Sequence, residues 1–527
     1  MRTLKCINGI NERRIIMKKI LAIVLMLALL APAAVAETGI DINDLSQHVT
    51  ISLFSNAQNR AERDLEDDYI RQQLQKDLNI DFDMVCRPRE EYDTALNLAI
   101  TGGSVADIFY VSETQYDAFA PSGLFLDLKP YLQYMPTYSA AFPGIAEQEG
   151  ILYDGHMYMI GNKNYRDADQ YVSSYRCLWI RQDWLDALNL KAPTTLEEFY
   201  DVAYAFTYND PDKNGVDDTI GFSGFAGAAG SEAAMFPFVF GAYGVGAPTS
   251  YIMTDDGVKL SAEVEGTKDA LAFIKKMIDN KLVDPDVLSY ANYNQFNEMI
   301  YKNKVGMLYF SWANFIKSQF GEQLRTLCPD AQWVTLPTVK GPEGHAYLEN
   351  YTVPGRTSAG YVVNAKVAED PVKLARVLKY LDYISDGPGY RLVSYGIEGR
   401  HFTVNEDGSI NVNLELASET ENGAQHQVCD RKEKEYLLTK FADIKEEVEF
   451  AAYEPRIGDY TSFLPAVDGL NKADWKRYIQ ENVVKFIYGN RSLDEFDAFI
   501  DSLYKVYGQA EYNEALHANL VEAGIEK

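Results

Sequence analysis

Cysteine is scarce in this chain, with five in 527 residues. Cys86, Cys177, Cys328 and Cys429 fall on the order of a hundred residues apart, which excludes the dense framework of a small disulfide-stapled domain and offers no metal-ligand spacing. Cys177 sits in an apolar run and is expected to be a buried thiol. Histidine is almost as rare, at six. His156, His345 and His401 fall in loops and are expected at the surface. No HExxH, GxSxG or P-loop occurs, so those signatures of metalloproteolysis, serine hydrolysis and nucleotide hydrolysis are missing. Positive charge is in deficit, with 49 Lys and Arg against 77 Asp and Glu, a net of −28. A surface that acidic repels phosphate backbones and anionic lipid, which argues against nucleic acid as a partner. Past the N-terminal region no apolar run reaches the ~20 residues of a membrane helix, and no sequence repeat has a fixed period.

What is present begins with an export pattern. From Met17, a more plausible start than Met1, two lysines precede an apolar run from Ile20 to Leu30, a break at Pro32 and a small-x-small site, Ala34-Val35-Ala36, before Glu37. Residues 1–36 are therefore read as a leader. No cysteine follows the apolar run, so lipid attachment at the cleavage point is not expected. The protein is then exported, to the periplasm, the cell surface or the medium. A chain this long exceeds one hydrophobic core and fits two or three domains.

Along the mature chain, Val49–Ser55 reads as a strand, residues 62–78 as a helix, Asn79–Cys86 as a strand, Glu90–Thr101 as a helix and Ala106–Val111 as a buried strand. That alternation predicts a parallel sheet with helices on its faces, whose ligands gather at the carboxyl ends of the strands. The side chains there are Asn56, Ser112, Glu113 and Thr114. A second alternation follows residue 160. It includes Ser173–Arg181, a helix opened by the Thr194-Thr195 cap with Glu197 and Glu198 behind it, a hairpin at Thr254–Lys259 and a buried strand at Val305–Phe310 ending at Trp312. Small residues between Gly224 and Gly246 suggest close packing near a cleft. The last third is helical by pattern.

Asn209–Phe222, NDPDKNGVDDTIGF, carries oxygen-bearing side chains at alternate positions before a glycine turn. A calcium ion takes six to eight oxygens at about 2.3–2.6 Å, and Asp210, Asp212, Asn214, Asp218 and the carbonyl of Val216 fill loop positions 1, 3, 5, 9 and 7. Position 12 is Gly221, so the loop is not an EF-hand. A metal-free polar turn of Asx and Gly residues is the alternative. Any bound Ca2+ here is expected to be structural.

Several stretches taken together carry a resemblance. They are Ala106–Val111 with Gly123–Leu128, Leu178–Leu185, Pro193–Phe199, the Asp210–Asp218 loop, Gly306–Trp312 and Tyr395–Gly399. In this order the chain resembles the extracellular solute-binding proteins of ABC sugar importers, in the larger branch that includes alginate-oligosaccharide binders. The resemblance implies an α/β fold of two hinged lobes of the periplasmic-binding-protein type, with a helical C-terminal segment. Lobe 1 would comprise residues 37–160 plus about 357–430, and lobe 2 residues 161–356 plus about 431–527. It implies a calcium loop of this form, although the family pattern has Glu where this chain has Thr219. It also implies a non-catalytic monomer that captures an oligosaccharide and passes it to ABC permease subunits.

Sugars present hydroxyl edges and C–H faces, so the site needs polar side chains and flat aromatics from both lobes. Trp312 is the main stacking candidate because the family places an aromatic there. Trp179, Arg181 and Tyr243 are further candidates, and each also fits core packing or, for Arg181 and Glu398, an ion pair near the hinge. A secreted carbohydrate hydrolase and a sugar sensor feeding a membrane receptor are the alternative functions.

Overall fold

A computed structural model describes residues 40–56, 65–87, 89–147, 152–160, 176–225, 235–287, 290, 293–311, 315, 319–353, 360–416, 428 and 433–527. The leader, Trp312 and Cys429 lie outside them. The strands are β1 Val49–Asn56, β2 Ile80–Arg87, β3 Ile108–Val111, β4 Met159–Ile160, β5 Arg176–Arg181, β6 Ile220–Gly224, β7 Tyr251–Thr254 and β8 Gly257–Leu260. They continue with β9 Val305–Ser311, β10 Trp333–Leu336, β11 Glu349–Thr352, β12 Gly360–Val363, β13 Phe402–Val404, β14 Ile410–Val412 and β15 Arg456–Asp459.

Two sheets organise the molecule, a five-stranded one in the order β2-β1-β3-β12-β4 and a four-stranded one in the order β10-β5-β9-β6. In the first, β1, β2 and β3 run parallel as the alternation predicts, but β12 enters antiparallel to both β3 and β4. The second departs further from a parallel sheet: only β6 and β9 are parallel, and β5 is antiparallel to β9 and β10. Local alternation in sequence does not reveal a strand delivered from 250 residues away.

Period-two alternation buries both faces of each sheet. In the first sheet Ile51, Leu53 and Val363 point to one apolar cluster, and Phe109, Val111 and Val362 to another. Helices Tyr69–Leu78 and Pro371–Tyr383 cover the former face, and Arg89–Thr101 the latter. Arg376 fastens this cover: it is 1 % exposed and donates to the carbonyls of Leu78, Asn79, Asp44 and Gln47. In the second sheet Leu178, Ile180, Met307 and Tyr309 face a cluster completed by the C-terminal helices Lys472–Ile487, Phe496–Val506 and Gln509–Glu522. Cys177, Trp179, Leu308 and Phe310 face the opposite way, into the cluster that also holds the first sheet. Helices Glu433–Lys440 and Lys445–Tyr453 pack into that shared cluster through Leu437, Val448 and Ala451.

Local chemistry explains the element boundaries. Thr195 and Glu198 form a capping box that starts helix Leu196–Tyr208, as the sequence predicts. The expected hairpin is the β7–β8 pair. His401, expected at the surface, is instead 1 % exposed. Its Nδ1 accepts the Ile397 N–H at 2.9 Å, which folds the loop after helix Gly387–Tyr395 onto the core. Cys177 is buried as expected, and burial pushes its thiol pKa up.

Candidate functional site at the facing strand ends

The chain leaves the first sheet after Ile160 and enters the second at Arg176. It returns from Val353 to Gly360, seven residues apart and so at most about 25 Å. Gly360 pairs with Val111, so the return reaches the first sheet at the carboxyl end of β3. Arg176 pairs with Ser311, so the crossing reaches the second sheet at the carboxyl end of β9. The edge carrying Asn56 and Ser112 and the edge carrying Arg176 and Ser311 are therefore both adjacent to the crossings.

The candidate residues separate on this frame. Asn56 ends β1 opposite Arg87 and is half-buried. Ser112 is committed to its helix: its hydroxyl accepts the Gln115 N–H at 3.4 Å and lies 3.0 Å from Gln115 Oε1, closing a capping box. Its hydroxyl thus caps the helix. Glu113 and Thr114 occupy the first turn of helix Glu113–Phe119, and their side chains lie outside the described set.

Trp179 is corrected to a core residue. It is 3 % exposed, its ring stacks on Phe315 at 4.5 Å, and its indole N–H donates to the Phe310 carbonyl at 3.3 Å. Arg181 is corrected on two grounds. It is 2 % exposed, gripped by Asp183 at 2.8 and 2.5 Å and by Asn303 at 2.5 Å, with Trp184 4.6 Å beneath the guanidinium. It also lies at the far end of β5 from Arg176, about 17 Å from the crossing edge at about 3.4 Å per residue. Glu398 is exposed and Arg181 pairs elsewhere, so the two make no hinge ion pair. Tyr243 caps the short helix Pro237–Ala242 and packs half-buried on the second cluster; burial, with Asp269 and Glu197 nearby, raises its pKa.

Sequence reasoning missed a pocket of about 280 Å³ at the same edge of the second sheet, lined by Arg176, Ser250, Tyr309, Glu349, Asn350 and Asp459 among others. The Arg176 guanidinium lies 5.7 Å from the Tyr309 ring centre. Tyr309 Oη donates to Glu349 Oε2 at 2.5 Å, and Arg456 Nε donates to Glu349 Oε1 at 3.0 Å. Ser250 donates to Asp459 Oδ2 at 2.8 Å, while Asp459 Oδ1 accepts from Thr461. Glu349 and Asp459 belong to β11 and β15, which pair in parallel beside the return crossing. No sequence pattern joins residues so far apart; only the pairing of two short, polar strands brings them together.

The calcium-type loop lies at the other end of the second sheet, where Asp218 meets Lys304 at 2.5 Å just before β9. Asn214 Nδ2 donates to Asp212 at 2.9 Å and to Asp218 at 3.4 Å, and Asp210 accepts the N–H groups of Asn214 and Gly215 at 3.1 and 3.0 Å. Gly215 has φ +77°, the left-handed turn a glycine permits. Burial and the neighbouring Asp210 raise the pKa of Asp212, and Lys304 lowers that of Asp218. These donors have the chemistry a hard cation takes: four oxygen-bearing side chains share one turn. At Thr219, where the family pattern has Glu, the buried hydroxyl donates to the Phe206 carbonyl at 2.7 Å. Among the described residues, no three His, Cys, Asp or Glu side chains form a metal-holding group, so Asn214 and the Val216 carbonyl are needed to complete a set.

Comparison with known proteins agrees with this architecture. The chain is 27 % identical over 348 residues to the polygalacturonan/rhamnogalacturonan-binding protein YtcQ of Bacillus subtilis, a match covering 64 % of each chain. The chain thus spans slightly less than two thirds of that relative. Its fold superposes on the S. pneumoniae ABC-transporter substrate-binding protein FusA in complex with kestose, with a TM-score of 0.70 and 19 % identity over 91 % of this chain and 100 % of FusA. An EF-hand mutant of FusA in complex with fructo-nystose gives 0.67 and 19 % over 90 % and 99 %. Alginate-binding AlgQ2, in a structure without calcium ion, gives 0.66 and 17 % over 91 % and 99 %. No helix among the described residues is long and apolar enough to cross a membrane. With residues 64–386 matching its family description, more than half of the chain, and with this two-lobed α/β fold, the protein belongs to the bacterial extracellular solute-binding protein family.

Proposed function

We propose that this protein captures an oligosaccharide outside the cytoplasm, in the crevice between two hinged lobes, and delivers it unchanged to an ABC permease. The observation that carries the reading is the pair of sheet edges that each lie beside the chain crossings, within a family of solute-binding proteins. Support also comes from the oligosaccharide and polygalacturonan ligands in the relatives' names. The lobes are residues 37–160 with about 357–430 and residues 161–356 with about 431–527, and the protein acts as an exported monomer. Asn56, Glu113 and Thr114 contribute from the first lobe and Trp312, one residue beyond β9, from the second. A guest favours the closed form only by its extra affinity for that form, so both lobes must touch it.

Asp210, Asp212, Asn214, Asp218 and the Val216 carbonyl would hold a Ca2+ ion, which neutralises crowded carboxylates and fixes the loop between helix Leu196–Tyr208 and β6. The loop sits away from the crossing edge, which suits a structural ion.

Calorimetry of the purified mature protein against a glycan panel, with product analysis of the same mixtures, tests the reading. Stoichiometric heat without products is expected, and turnover of any glycan at catalytic rates would sink it. Trp312→Ala should weaken binding about tenfold, on the order of 1.4 kcal/mol, through loss of stacking. Unchanged affinity removes Trp312 from the site.

A further inference from the structure

We propose that the pocket beside Tyr309 is a subsite for one uncharged sugar ring, so that the cargo is a neutral oligosaccharide rather than a polyuronate; this rests on the oligosaccharide-capture reading above. The volume, about 280 Å³, lies at the lower edge of the roughly 300–1,000 Å³ of small-molecule sites, enough for one ring and not for several. Pro237, Pro248, Ile479 and Val483 give the pocket apolar walls for C–H faces. Arg176, Asn350 and Asp459 give it polar atoms for hydroxyl edges. Because Arg176 faces the crossing edge, a ring seated here leads the rest of the chain toward the first lobe.

Charge decides the class of guest. Glu349 is answered within the protein by Arg456 at 3.0 Å and by the Tyr309 hydroxyl at 2.5 Å. That leaves Arg176 and Asp459 as the other formal charges in the lining, one of each sign. A uronate entering this space would be desolvated with no net positive charge to receive it and with Asp459 opposing it. A hydroxyl meets no such cost. Glu349 and Asp459 are held in place by their protein partners, as oriented acceptors must be. Asn350 is held in the same way. Its Oδ1 accepts the Ala247 N–H at 3.1 Å, which fixes the side chain in the lining.

The test titrates the whole mature protein with a panel of neutral oligosaccharides, kestose and maltotriose included, and with trigalacturonate and other uronate oligomers. Two variants fill the pocket, Thr249→Trp from the loop before β7 and Gln480→Trp from helix Lys472–Ile487, each checked for an unchanged circular dichroism spectrum and melt. Heat with a neutral member and none with uronates is expected, together with at least tenfold weaker binding in either folded variant. Tight uronate binding, or neutral binding unchanged in a folded variant, overturns the subsite and leaves oligosaccharide capture standing. If no member of either class binds the unaltered protein, the capture reading falls and the subsite falls with it.

Discussion

Arg456→Met removes a charge that the fold uses twice. Besides its bond to Glu349, the guanidinium donates to the carbonyls of Ala451 at 2.6 Å, Glu454 at 3.1 Å and Ala452 at 3.4 Å, at the end of helix Lys445–Tyr453. The two paired side chains are 7 % and 11 % exposed. Methionine keeps the apolar stem, leaves Glu349 with only the Tyr309 hydroxyl and uncovers the helix end. Breaking a buried pair from one side costs about 3–5 kcal/mol, and slight solvent contact points to the lower figure, about 3 kcal/mol. In a cooperative unit of about 250 residues that corresponds to roughly 6–12 °C in melting temperature. Adding Glu349→Gln removes the stranded charge and should return about 1.5 kcal/mol or more. Urea melts of the unaltered protein, both single variants and the double variant measure the coupling. If the single effects sum to the double within about 0.5 kcal/mol, the two groups do not act as a pair.

Calcium in excess over chelator should raise the melting temperature, by the equivalent of about 2.7 kcal/mol at a hundred times the dissociation constant; Asp210→Asn with Asp212→Asn should erase the difference. Identical melts with calcium and with chelator would count against a bound ion. Glu263 gives a pH prediction. Burial raises its pKa despite help from Tyr504 and Asn513, and its Oε1 has no partner. A raised carboxyl pKa gives stability that is whole below the unfolded pKa and is lost as pH rises through the folded one. Glu263→Gln should therefore raise the melting temperature at pH 8 and not at pH 4; an equal shift at both would refute the assignment. Gly241→Ala should destabilise by about 3 kcal/mol, because a Cβ there would sit 1.9 Å from the Tyr347 carbonyl oxygen; a melt within a degree of the unaltered protein would show that the loop yields freely.

Sequence alone revealed the elements better than their partners. Periodicity located β1, β2, β3 and β9, and the Thr195 capping box announced its helix, because these signals are local. The packing of small residues between Gly224 and Gly246 was also legible: Gly241 and Gly246 both touch neighbouring chain closely. Sheet direction was not, since an antiparallel insertion such as β12 leaves no mark on its own four residues. Site residues fared unevenly for the same reason. Trp179 read as either a ligand contact or core and Arg181 as either a ligand contact or an ion pair, and only their neighbours Phe315 and Asp183 distinguish the two. Glu349 and Asp459, separated by more than a hundred residues, gave no signal until β11 met β15.

The place of β12 between β3 and β4 has a consequence for how the molecule is made. Residues 360–363 lie between β3 and β4, so β4 has no neighbour in its sheet until about two thirds of the chain has been synthesised. Closing a loop of that length is slow compared with local helix formation. The first sheet therefore lacks one of its inner strands for most of synthesis. Tyr361, whose hydroxyl lies 2.6 Å from that of Ser55, marks the step that ends this delay.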